Sequence, residues 1–345
     1  MHAARAVDVM VVSLGSTAGL RVADDELCDA LRGAGASVAL ARALAPPPRR
    51  TLMLTDLAWA RAARAAARTE LARRGGAVKA VIYSSTTAAL LWPRAGAIRF
   101  DATSAGNRPG RHGAWQRPLE RRRLAQAPLL LPWSDGALAE APAAARRGAR
   151  ALVLPVPIEP APLPHAGARD IAAVTYAANP AKKGLDRVLG AWRRVRAERR
   201  APGEELLVAG ASEHELRDAG LLARPEEGVR VVGALGRAQY RELLGRARVF
   251  VCAPRREDYG LAQLEALADG CLLVSTPSPG PYAALPIARA LDARLVDEDL
   301  ARALRAALGD PAPDYAARAR EALQPFTRAA SERIVSEQLL ARLLG

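Results

Sequence analysis

The sequence predicts an α/β protein built from two doubly wound domains, each around a parallel sheet. The length of 345 residues suits two domains. Apolar runs of strand length alternate with helical stretches along the chain, which is the pattern of βαβ units. A proline-rich stretch, E-P-A-P-L-P at 159–164, divides two such series and suits a stiff linker. No apolar run reaches the roughly 18 residues of a membrane span, so we expect a soluble chain.

The first series opens on a buried-strand pattern at Val7–Leu14, without the cleavage pattern of a signal peptide. A turn of sequence G-S-T-A-G (15–19) follows, and a helix is predicted over Asp24–Leu31 with its acidic residues 24–26 in the first turn. The other strands predicted in this series are Ser37–Ala41, Val78–Ser84, Ala97–Asp101, Pro128–Leu131 and Ala151–Ile158, and the other helices are Asp56–Arg74 and Pro118–Ala125.

The second series begins with a strand at Ile171–Tyr176. One face of the helix after it carries Leu185, Val188, Leu189, Trp192 and Val195. Later strands are predicted at Leu206–Ala209, Val229–Val232, Val249–Cys252 and Leu272–Ser275. The predicted boundaries are therefore a domain at 1–158, a linker at 159–170, a second domain at 171–326 and a final helical segment at 327–345.

The sequence lacks the motifs of several enzyme classes. The first glycine turn reads GxxxG, not GxGxxG, and no acidic residue stands between Asp29 and Asp56 to bind a ribose, which disfavours a nicotinamide enzyme. None of the three lysines has the context of a Walker A loop, and there is no GxSxG elbow of a serine hydrolase. The three cysteines form no CxxC pair and the four histidines are widely spaced, so we expect reduced, structural cysteines in the cytoplasm and no metal site.

Positive charge is concentrated in the first half of the chain. Residues 1–158 hold 23 Lys+Arg against 11 Asp+Glu, a net +12, out of +14 for the whole chain. The predicted helix Asp56–Arg74 carries Arg61, Arg64 and Arg68 on one side, with Trp59 near its start. This face suits an anionic acceptor or an acidic membrane surface, and it also suits a solvated arginine face in an arginine-rich chain. Nucleic acid is disfavoured because aromatic residues make up only 4% of the chain and no binding motif is present.

The most informative segment is P-R-R-E-D-Y-G-L-A-Q-L-E-A-L-A-D-G at 254–270. It follows a predicted strand, so its loop lies where ligands bind in open α/β sheets. Gly260 opens a helix whose free amides can receive a phosphate. Glu257 lies in the loop and Glu265 on the second helical turn, at the margin of the inward face. A solvated helix capped by Glu257 or Asp258 fits the same pattern.

Glu257 and Glu265, with Tyr259-Gly260 between them and A-L-A-D-G after them, resemble the paired-glutamate signature of the family-four retaining glycosyltransferases, which have the GT-B fold. Four other segments resemble that family in the same order. They are the amino-terminal glycine turn at 15–19, A-N-P-A-K-K-G at 178–184, the strand and turn at 229–233, and the helix and strand at 240–254. The resemblance is clear over about 171–280 and looser over 1–158. It implies two Rossmann-like domains facing an interdomain cleft.

The resemblance assigns roles to residues at matching positions. Glu265 would bind the ribose of a nucleotide-diphosphate-sugar donor, Glu257 would face the transferred sugar, and Lys183 would hold the diphosphate leaving group. The remaining donor contacts implied are Gly15, Gly19, Asn179, Gly233, Ala234, Tyr259, Gly260, Leu261 and Ala262. A solvated first-turn lysine is the other interpretation of Lys183, although this chain uses arginine for most of its basic charge.

The sequence departs from the family in two places. The family usually has an arginine about five residues before the lysine, where Ala178 and Asn179 stand here, so Arg255 or Arg256 is the substitute if the diphosphate has a second cation. The family often has a histidine after a first-domain strand that touches the transferred sugar. Asp101 or His112 could stand there, and His112 also suits an ordinary loop residue.

The resemblance implies a retaining, metal-independent glycosyltransferase that needs no cofactor, with a small-molecule, glycan or lipid-linked acceptor. Its last helix, Arg328 to Leu344, would pack back on the first domain, and the enzyme would be cytoplasmic or peripheral at the inner membrane surface. Three alternatives stay open: a nucleotide-sugar epimerase or phosphorylase-like enzyme on the same fold, a basic binding protein, and a non-catalytic partner subunit. The donor sugar, its base and the acceptor are not specified by the sequence.

Overall fold

The computed structural model describes residues 6–146, 150–160, 169–199, 203–222 and 224–345. The chain forms two compact units. The first unit is Met1–Pro157 together with Pro325–Gly345, and the second unit is Ile158–Gln324. Most of the predicted linker, residues 161–168, lies outside the described residues.

The first unit contains a parallel sheet in the order β2-β1-β3-β4-β5. Its strands are β1 (Val7–Ser13), β2 (Val38–Arg42), β3 (Val78–Tyr83), β4 (Ala97–Phe100) and β5 (Leu130–Pro132). Register is continuous through the centre, where Val9 pairs with Val38 on one side and with Ala80 on the other. The order reverses between β1 and β3, which makes this sheet doubly wound.

The second unit contains a parallel sheet in the order β10-β9-β6-β7-β8. Its strands are β6 (Ile171–Tyr176), β7 (Leu206–Ala209), β8 (Val229–Gly233), β9 (Ala247–Cys252) and β10 (Leu272–Ser275). Here the order reverses between β6 and β9. The prediction of two doubly wound α/β domains is confirmed.

The helices lie between the strands. In the first unit they are α1 (Ala18–Gly33), α2 (Leu52–Arg73), α3 (Thr86–Ala89), α4 (Ser104–Asn107), α5 (Gln116–Gln126) and α6 (Asp135–Glu140). In the second unit they are α7 (Pro180–Lys183), α8 (Leu185–Arg199), α9 (Glu213–Asp218), α10 (Arg237–Arg246), α11 (Leu261–Ala268), α12 (Ala284–Leu291), α13 (Leu300–Gly309) and α14 (Tyr315–Ala322). The chain ends in the first unit with α15 (Arg328–Ile334), a π-helical turn (Val335–Leu339) and α16 (Leu340–Leu344). Short 3₁₀ turns occur at Gly110–Gly113, Ala293–Leu295 and Gln324–Phe326.

Two helices begin earlier than their apolar pattern predicts, because a threonine caps each of them. Thr17 accepts a hydrogen bond from the Leu20 amide, and Thr51 accepts one from the Leu54 amide. A capping hydroxyl satisfies one of the unpaired amides of a first helical turn. In α8 the predicted inward face is confirmed, because the five apolar residues predicted to form it are all buried.

The core of the first unit lies on both faces of its sheet. Alternate residues of each strand point to opposite faces, so Met10 and Val12 join one cluster while Val9 and Val11 join the other. The second cluster also contains Val335 and Leu339 of the carboxyl-terminal helix. This helix therefore completes one face of the first unit.

The predicted strand Ala151–Ile158 is wrong. The segment runs beside β5 and donates two ladder hydrogen bonds, from the Leu152 amide to Leu130 and from the Leu154 amide to Pro132, each 2.9 Å. Pro155 and Pro157 then remove the amides that would continue the ladder. The alternating apolar side chains remain buried as an extended segment, which explains why the pattern resembled a strand.

The predicted placement of acidic residues in the first turn of α1 is also wrong, because the helix begins six residues before Asp24. Asp24 is fully buried, and its Oδ2 accepts hydrogen bonds from Ser13 and Ser84. Arg99 lies 3.8 Å from its other oxygen. Burial raises the pKa of the Asp24 carboxyl, and Arg99 opposes this shift. The carboxyl fixes α1 to the sheet where β1 and β3 end.

Candidate active site

The candidate site of the second unit lies at the carboxyl ends of β6 and β9. These strands are neighbours, and the strand order reverses between them. In open α/β sheets, ligands bind outside the carboxyl ends of strands at this kind of switch point. The loop 177–184 follows β6 and the loop 253–260 follows β9, so both loops that carry the predicted residues meet there.

The loop after β6 is fixed by a cap and a glycine. The Asn179 side chain caps α7 by accepting a hydrogen bond of 3.0 Å from the Lys182 amide. Gly184 ends α7 with a φ of 63°, and a Cβ at this position would lie 1.9 Å from the Ala253 carbonyl oxygen. The Arg255 amide donates to the Lys182 carbonyl at 3.0 Å. The two loops therefore touch backbone to backbone, and only glycine fits at 184.

Lys183 and Glu257 form an ion pair at the centre of the site. Lys183 Nζ lies 2.7 Å from Glu257 Oε2, and the two side chains are 21% and 6% exposed. Gln263 Nε2 donates to the same carboxylate oxygen at 2.9 Å. The sequence predicted that Lys183 and Glu257 belong to one site, and the structure brings them together.

A second group of charges surrounds this pair. Asp258 accepts from Lys182 at 2.8 Å and from Arg256 at 3.0 Å. Arg255 pairs with Asp186 at 2.8 Å, with both side chains well exposed. Both arginines proposed as the second phosphate cation therefore lie in the same loop cluster, and each is bound to a carboxylate. Arg256 is the more buried of the two, at 20% against 51%.

Helix α11 begins at this cluster. Gly260 precedes it with a φ of 87° and provides no side-chain cap, which rules out the interpretation that Glu257 or Asp258 caps the helix. Glu265 on the second turn is 9% exposed, and its carboxylate makes no hydrogen bond with the described residues. Burial raises the pKa of Glu265, and Arg241 opposes the shift. A buried carboxylate without a donor is an available acceptor for ligand hydroxyls.

The comparisons with known proteins bear directly on this unit. Residues 169–310 match the family model described as "Glycosyl transferases group 1". The second unit is a group 1 glycosyltransferase domain. The match confirms the enzyme class that the paired glutamates predicted, and it covers both loops of the site. No sequence among the curated proteins matches the chain.

Solved structures are similar to the whole chain and have the GT-B fold. Sucrose-phosphate synthase from Thermosynechococcus elongatus aligns with a TM-score of 0.73 at 17% identity, covering 98% of this chain and 99% of that one. WaaG, a glycosyltransferase involved in lipopolysaccharide biosynthesis, aligns with a TM-score of 0.69 at 15% identity, covering 98% of this chain and 100% of that one. Anabaena HepE, in complex with UDP and glucose, aligns with a TM-score of 0.65 at 13% identity, covering 97% of this chain and 99% of that one. At these identities the likeness establishes the fold.

Other predicted donor contacts of the glycosyltransferase domain lie along the same sheet edge. Gly233 ends β8 with a φ of 72°, its carbonyl accepts from the Gly210 amide at 2.7 Å, and Ala234 after it is exposed. Tyr259 is buried. Leu261 and Ala262 are half-buried in the first turn of α11.

The remaining predicted residues belong to the first unit. Gly15 follows β1 with a φ of 59°, whereas Gly19 is the second residue of α1, so the two glycines do not share one loop. Asp101 follows β4, and its Oδ1 accepts from the Ala102 amide at 2.9 Å. His112 is exposed in the 3₁₀ turn Gly110–Gly113.

Gln263 is a site residue that the sequence interpretation missed. It is 1% exposed, donates to Glu257, and approaches Cys252 Sγ at 3.8 Å. Cys252 in turn lies 3.4 Å from the Tyr282 hydroxyl. The sequence does contain an indication of this role: apart from Gln263 and Glu265, the inward residues of α11 are apolar.

Two further features of the described residues concern metals and membranes. No three His, Cys, Asp or Glu side chains among them are grouped as metal ligands would be. No helix in the described part of the chain combines the length and apolar character needed to cross a bilayer.

Proposed function

We propose that this glycosyltransferase moves a sugar from a nucleotide-diphosphate-sugar donor to an acceptor hydroxyl, with retention at the anomeric carbon and without a metal ion. The observation that carries the proposal is the meeting of Lys183, Glu257 and the start of α11 at the switch point of the second unit. HepE, which shares the fold, contains UDP and glucose in its complex. This likeness supports a nucleotide sugar as the donor.

Each part of the site suits one part of the donor. The ribose hydroxyls would donate to Glu265, whose buried carboxylate has no hydrogen-bond partner among the described residues. The diphosphate would lie at the first-turn amides of α11, where the helix dipole favours negative charge. Lys183 would break its ion pair with Glu257 and bind a phosphate oxygen instead, because an ammonium group on a flexible side chain can move between nearby anions. Glu257 would then face the transferred sugar.

The transfer breaks the bond between the anomeric carbon and the β-phosphate oxygen, and that oxygen keeps the electron pair. The acceptor oxygen bonds to the same face of the anomeric carbon, and its proton passes to the departing phosphate. Lys183 and the helix amides stabilise the charge that develops on the leaving group, which is the role that a divalent cation serves in other enzymes. No side-chain base is therefore required.

The first experiment is a thermal-shift screen of the full chain against UDP, GDP, ADP and their sugars. A ligand at 100 times its Kd adds about 2.7 kcal/mol to the free energy of unfolding, so the correct nucleotide should stand out. The product formed with the best donor is then examined by NMR for anomeric configuration, with and without EDTA. An inverted product, or loss of activity with EDTA, would contradict retention or metal independence respectively. Conversion of the donor to its epimer without transfer would favour the epimerase alternative.

We also propose that the first unit contacts an acidic membrane surface, at the cytoplasmic face. Leu44, Leu52 and Leu54 are 85%, 51% and 44% exposed around the start of α2, and the exposed Arg49 and Arg50 lie between them in the chain. Exposed leucines beside arginines suit the interface of an anionic bilayer.

This surface differs from the arginine face predicted along α2. There, Arg64 donates to the Leu91 carbonyl at 3.1 Å, and Trp59 packs on the core of the first unit. Arg61 and Arg68 are exposed and remain available to anionic lipid.

Liposome co-sedimentation tests the contact with vesicles of phosphatidylcholine alone and with added phosphatidylglycerol. We expect recovery with the acidic vesicles at low salt, reduced by the double variant Leu52→Ser, Leu54→Ser. Leu344→Ser is the matched control, since it removes an exposed leucine from the far end of the chain. Equal recovery with both vesicles, or better competition by duplex DNA than by acidic lipid, would refute the contact.

A further inference from the structure

A third loop contacts the candidate active site of the second unit. This loop, 276–283, follows β10, which lies beside β9 in the sheet. The Glu257 amide donates to the Pro279 carbonyl at 3.0 Å. The Ala283 amide donates to the Tyr259 carbonyl, also at 3.0 Å. The backbone around Glu257 is therefore hydrogen-bonded to this loop in two places, so the position of Glu257 depends on how the loop is held.

Tyr282 anchors the loop after β10 to the interior of the unit. Its side chain is 3% exposed, and its ring lies against Gly260, where an added Cβ would be 2.8 Å from Tyr282 Cε2. The Ser275 hydroxyl donates to the Thr276 carbonyl at 2.9 Å. The Tyr282 hydroxyl, 3.1 Å from Ser275 Oγ, is therefore the donor in that pair. The ring thus supports the residue before α11, while the hydroxyl is bonded to the end of β10.

The Tyr282 hydroxyl also belongs to a buried polar network that reaches the Glu257 side chain. Cys252 Sγ lies 3.4 Å from the Tyr282 hydroxyl and 3.8 Å from Gln263 Nε2. Gln263 Nε2 donates to Glu257 Oε2 at 2.9 Å. All four side chains are buried. A satisfied network of this kind holds its members in one arrangement, so a change at Tyr282 should be felt at Glu257.

We infer that Tyr282 is a positioning residue whose hydroxyl fixes the loop after β10 and, through that loop and Gln263, holds Glu257 in its place in the site. The expected effect on sugar transfer rests on the proposed function. The effect on the loop does not, because it follows from contacts within the second unit. The ring alone lies against the residue before α11, so removing only the hydroxyl should leave the nucleotide contacts of this helix intact.

Tyr282→Phe in the full chain tests this role, and Tyr315→Phe is the matched control. Tyr315 is also 3% exposed, and its hydroxyl accepts from the amide of Leu273 in β10 at 3.3 Å. Each variant therefore loses one buried tyrosine hydroxyl that is bonded to β10. We expect Tyr282→Phe to lower turnover about tenfold, the usual effect of one hydrogen bond, with the Kd of the nucleotide changed by less than about twofold. Tyr315→Phe should leave both quantities unchanged.

Two further measurements separate positioning from a general loss of stability. In a Glu257→Gln background, Tyr282→Phe should lower turnover by less than about twofold, because the group through which it acts is already altered. Hydrogen exchange over residues 255–262, followed by mass spectrometry, needs no donor. Tyr282→Phe should speed exchange at the Glu257 amide about tenfold, because local opening no longer breaks the tyrosine hydrogen bond, and Tyr315→Phe should not.

Equal turnover in Tyr282→Phe and Tyr315→Phe would overturn the inference. So would a loss from Tyr282→Phe that adds in full to the loss from Glu257→Gln, or unchanged hydrogen exchange over 255–262. If Tyr282→Phe fails to fold, Ser275→Ala removes the acceptor of the same hydrogen bond and must show the same effects. A wild-type chain that binds no nucleotide and transfers no sugar would refute the proposed function, and hydrogen exchange would then decide the role of Tyr282 by itself.

Discussion

The contact between Gly184 and Ala253 holds the two loops of the candidate active site together, and Gly184→Ala tests it. Gly184 has a left-handed φ of 63°, and the added Cβ would lie 1.9 Å from the Ala253 carbonyl oxygen. Real Cβ contacts stay beyond 3.0 Å, so the two loops must separate by about 1 Å. Lys183 precedes the glycine directly, and Glu257 lies four residues after Ala253.

Two effects add at this position. The left-handed conformation costs about 1–2 kcal/mol for a residue with a Cβ. The steric overlap adds about 1–3 kcal/mol, as overpacking of a close contact generally does. A displacement of about 1 Å at a catalytic group can lower turnover about 100-fold. We therefore expect Gly184→Ala to lower the free energy of unfolding by about 2–5 kcal/mol and turnover by about two orders of magnitude.

Gly220→Ala is the matched control. Gly220 follows α9 with a φ of 67°, and nothing lies within 4 Å of the position that a Cβ would take. This variant should therefore lose only the stability that the left-handed conformation costs a residue with a Cβ. Urea unfolding of both variants separates the two effects, and isothermal titration with the nucleotide that binds the wild type measures the site. If Gly184→Ala matched Gly220→Ala in stability and bound nucleotide normally, the proposed junction of the two loops would be refuted.

Four further predictions concern the site itself. Lys183→Ala should lower turnover at least tenfold more than Lys182→Ala, measured as nucleotide release, because Lys183 alone reaches Glu257 while Lys182 pairs with the outer carboxylate; the reverse ranking would shift the loop assignment by one residue. Glu265→Ala should raise the nucleotide Kd about tenfold or more, whereas Glu257→Ala should mainly lower turnover, and titration calorimetry with steady-state rates separates the two. Because burial raises the pKa of Glu265 in the folded state, the contribution of this group to the free energy of unfolding is present at acid pH and is lost as the pH rises through that pKa. Glu265→Gln should therefore raise Tm at pH 7 more than at pH 4. An equal shift in Tm at both pH values would contradict this prediction. Gln263→Leu should lower turnover while leaving nucleotide affinity within about twofold, and equal losses in both would indicate a merely structural role.

The second unit was the more predictable of the two. Its strands β6, β7, β9 and β10 lie where apolar runs predicted them, and the lysine and the first glutamate meet because their loops follow adjacent strands. Loop position at a strand end is a local property of the sequence. The parallel topology then brings such ends to one edge.

What the sequence did not specify depends on long-range packing. Asp24 looked like a first-turn carboxylate, but it is a buried partner of Ser84, which lies 60 residues away. The partnership of Gln263 with Glu257 required knowing which way α11 faces. The prolines that end the extended segment after residue 154 were visible, yet the alternation of apolar residues outweighed them in the prediction.

The ion pair between Lys183 and Glu257 explains why Gln263 lies beside Glu257. In the proposed reaction Lys183 breaks its ion pair with Glu257 and binds a phosphate oxygen. The Glu257 carboxylate, which is 6% exposed, would then lose its cation. Removing one partner from a buried charge usually costs several kcal/mol, enough to oppose donor binding. Gln263 donates to the same oxygen at 2.9 Å and does not depend on the donor, so Glu257 keeps one hydrogen bond throughout. The neutral amide also leaves the charge on Glu257 in place, which a second lysine at position 263 would cancel.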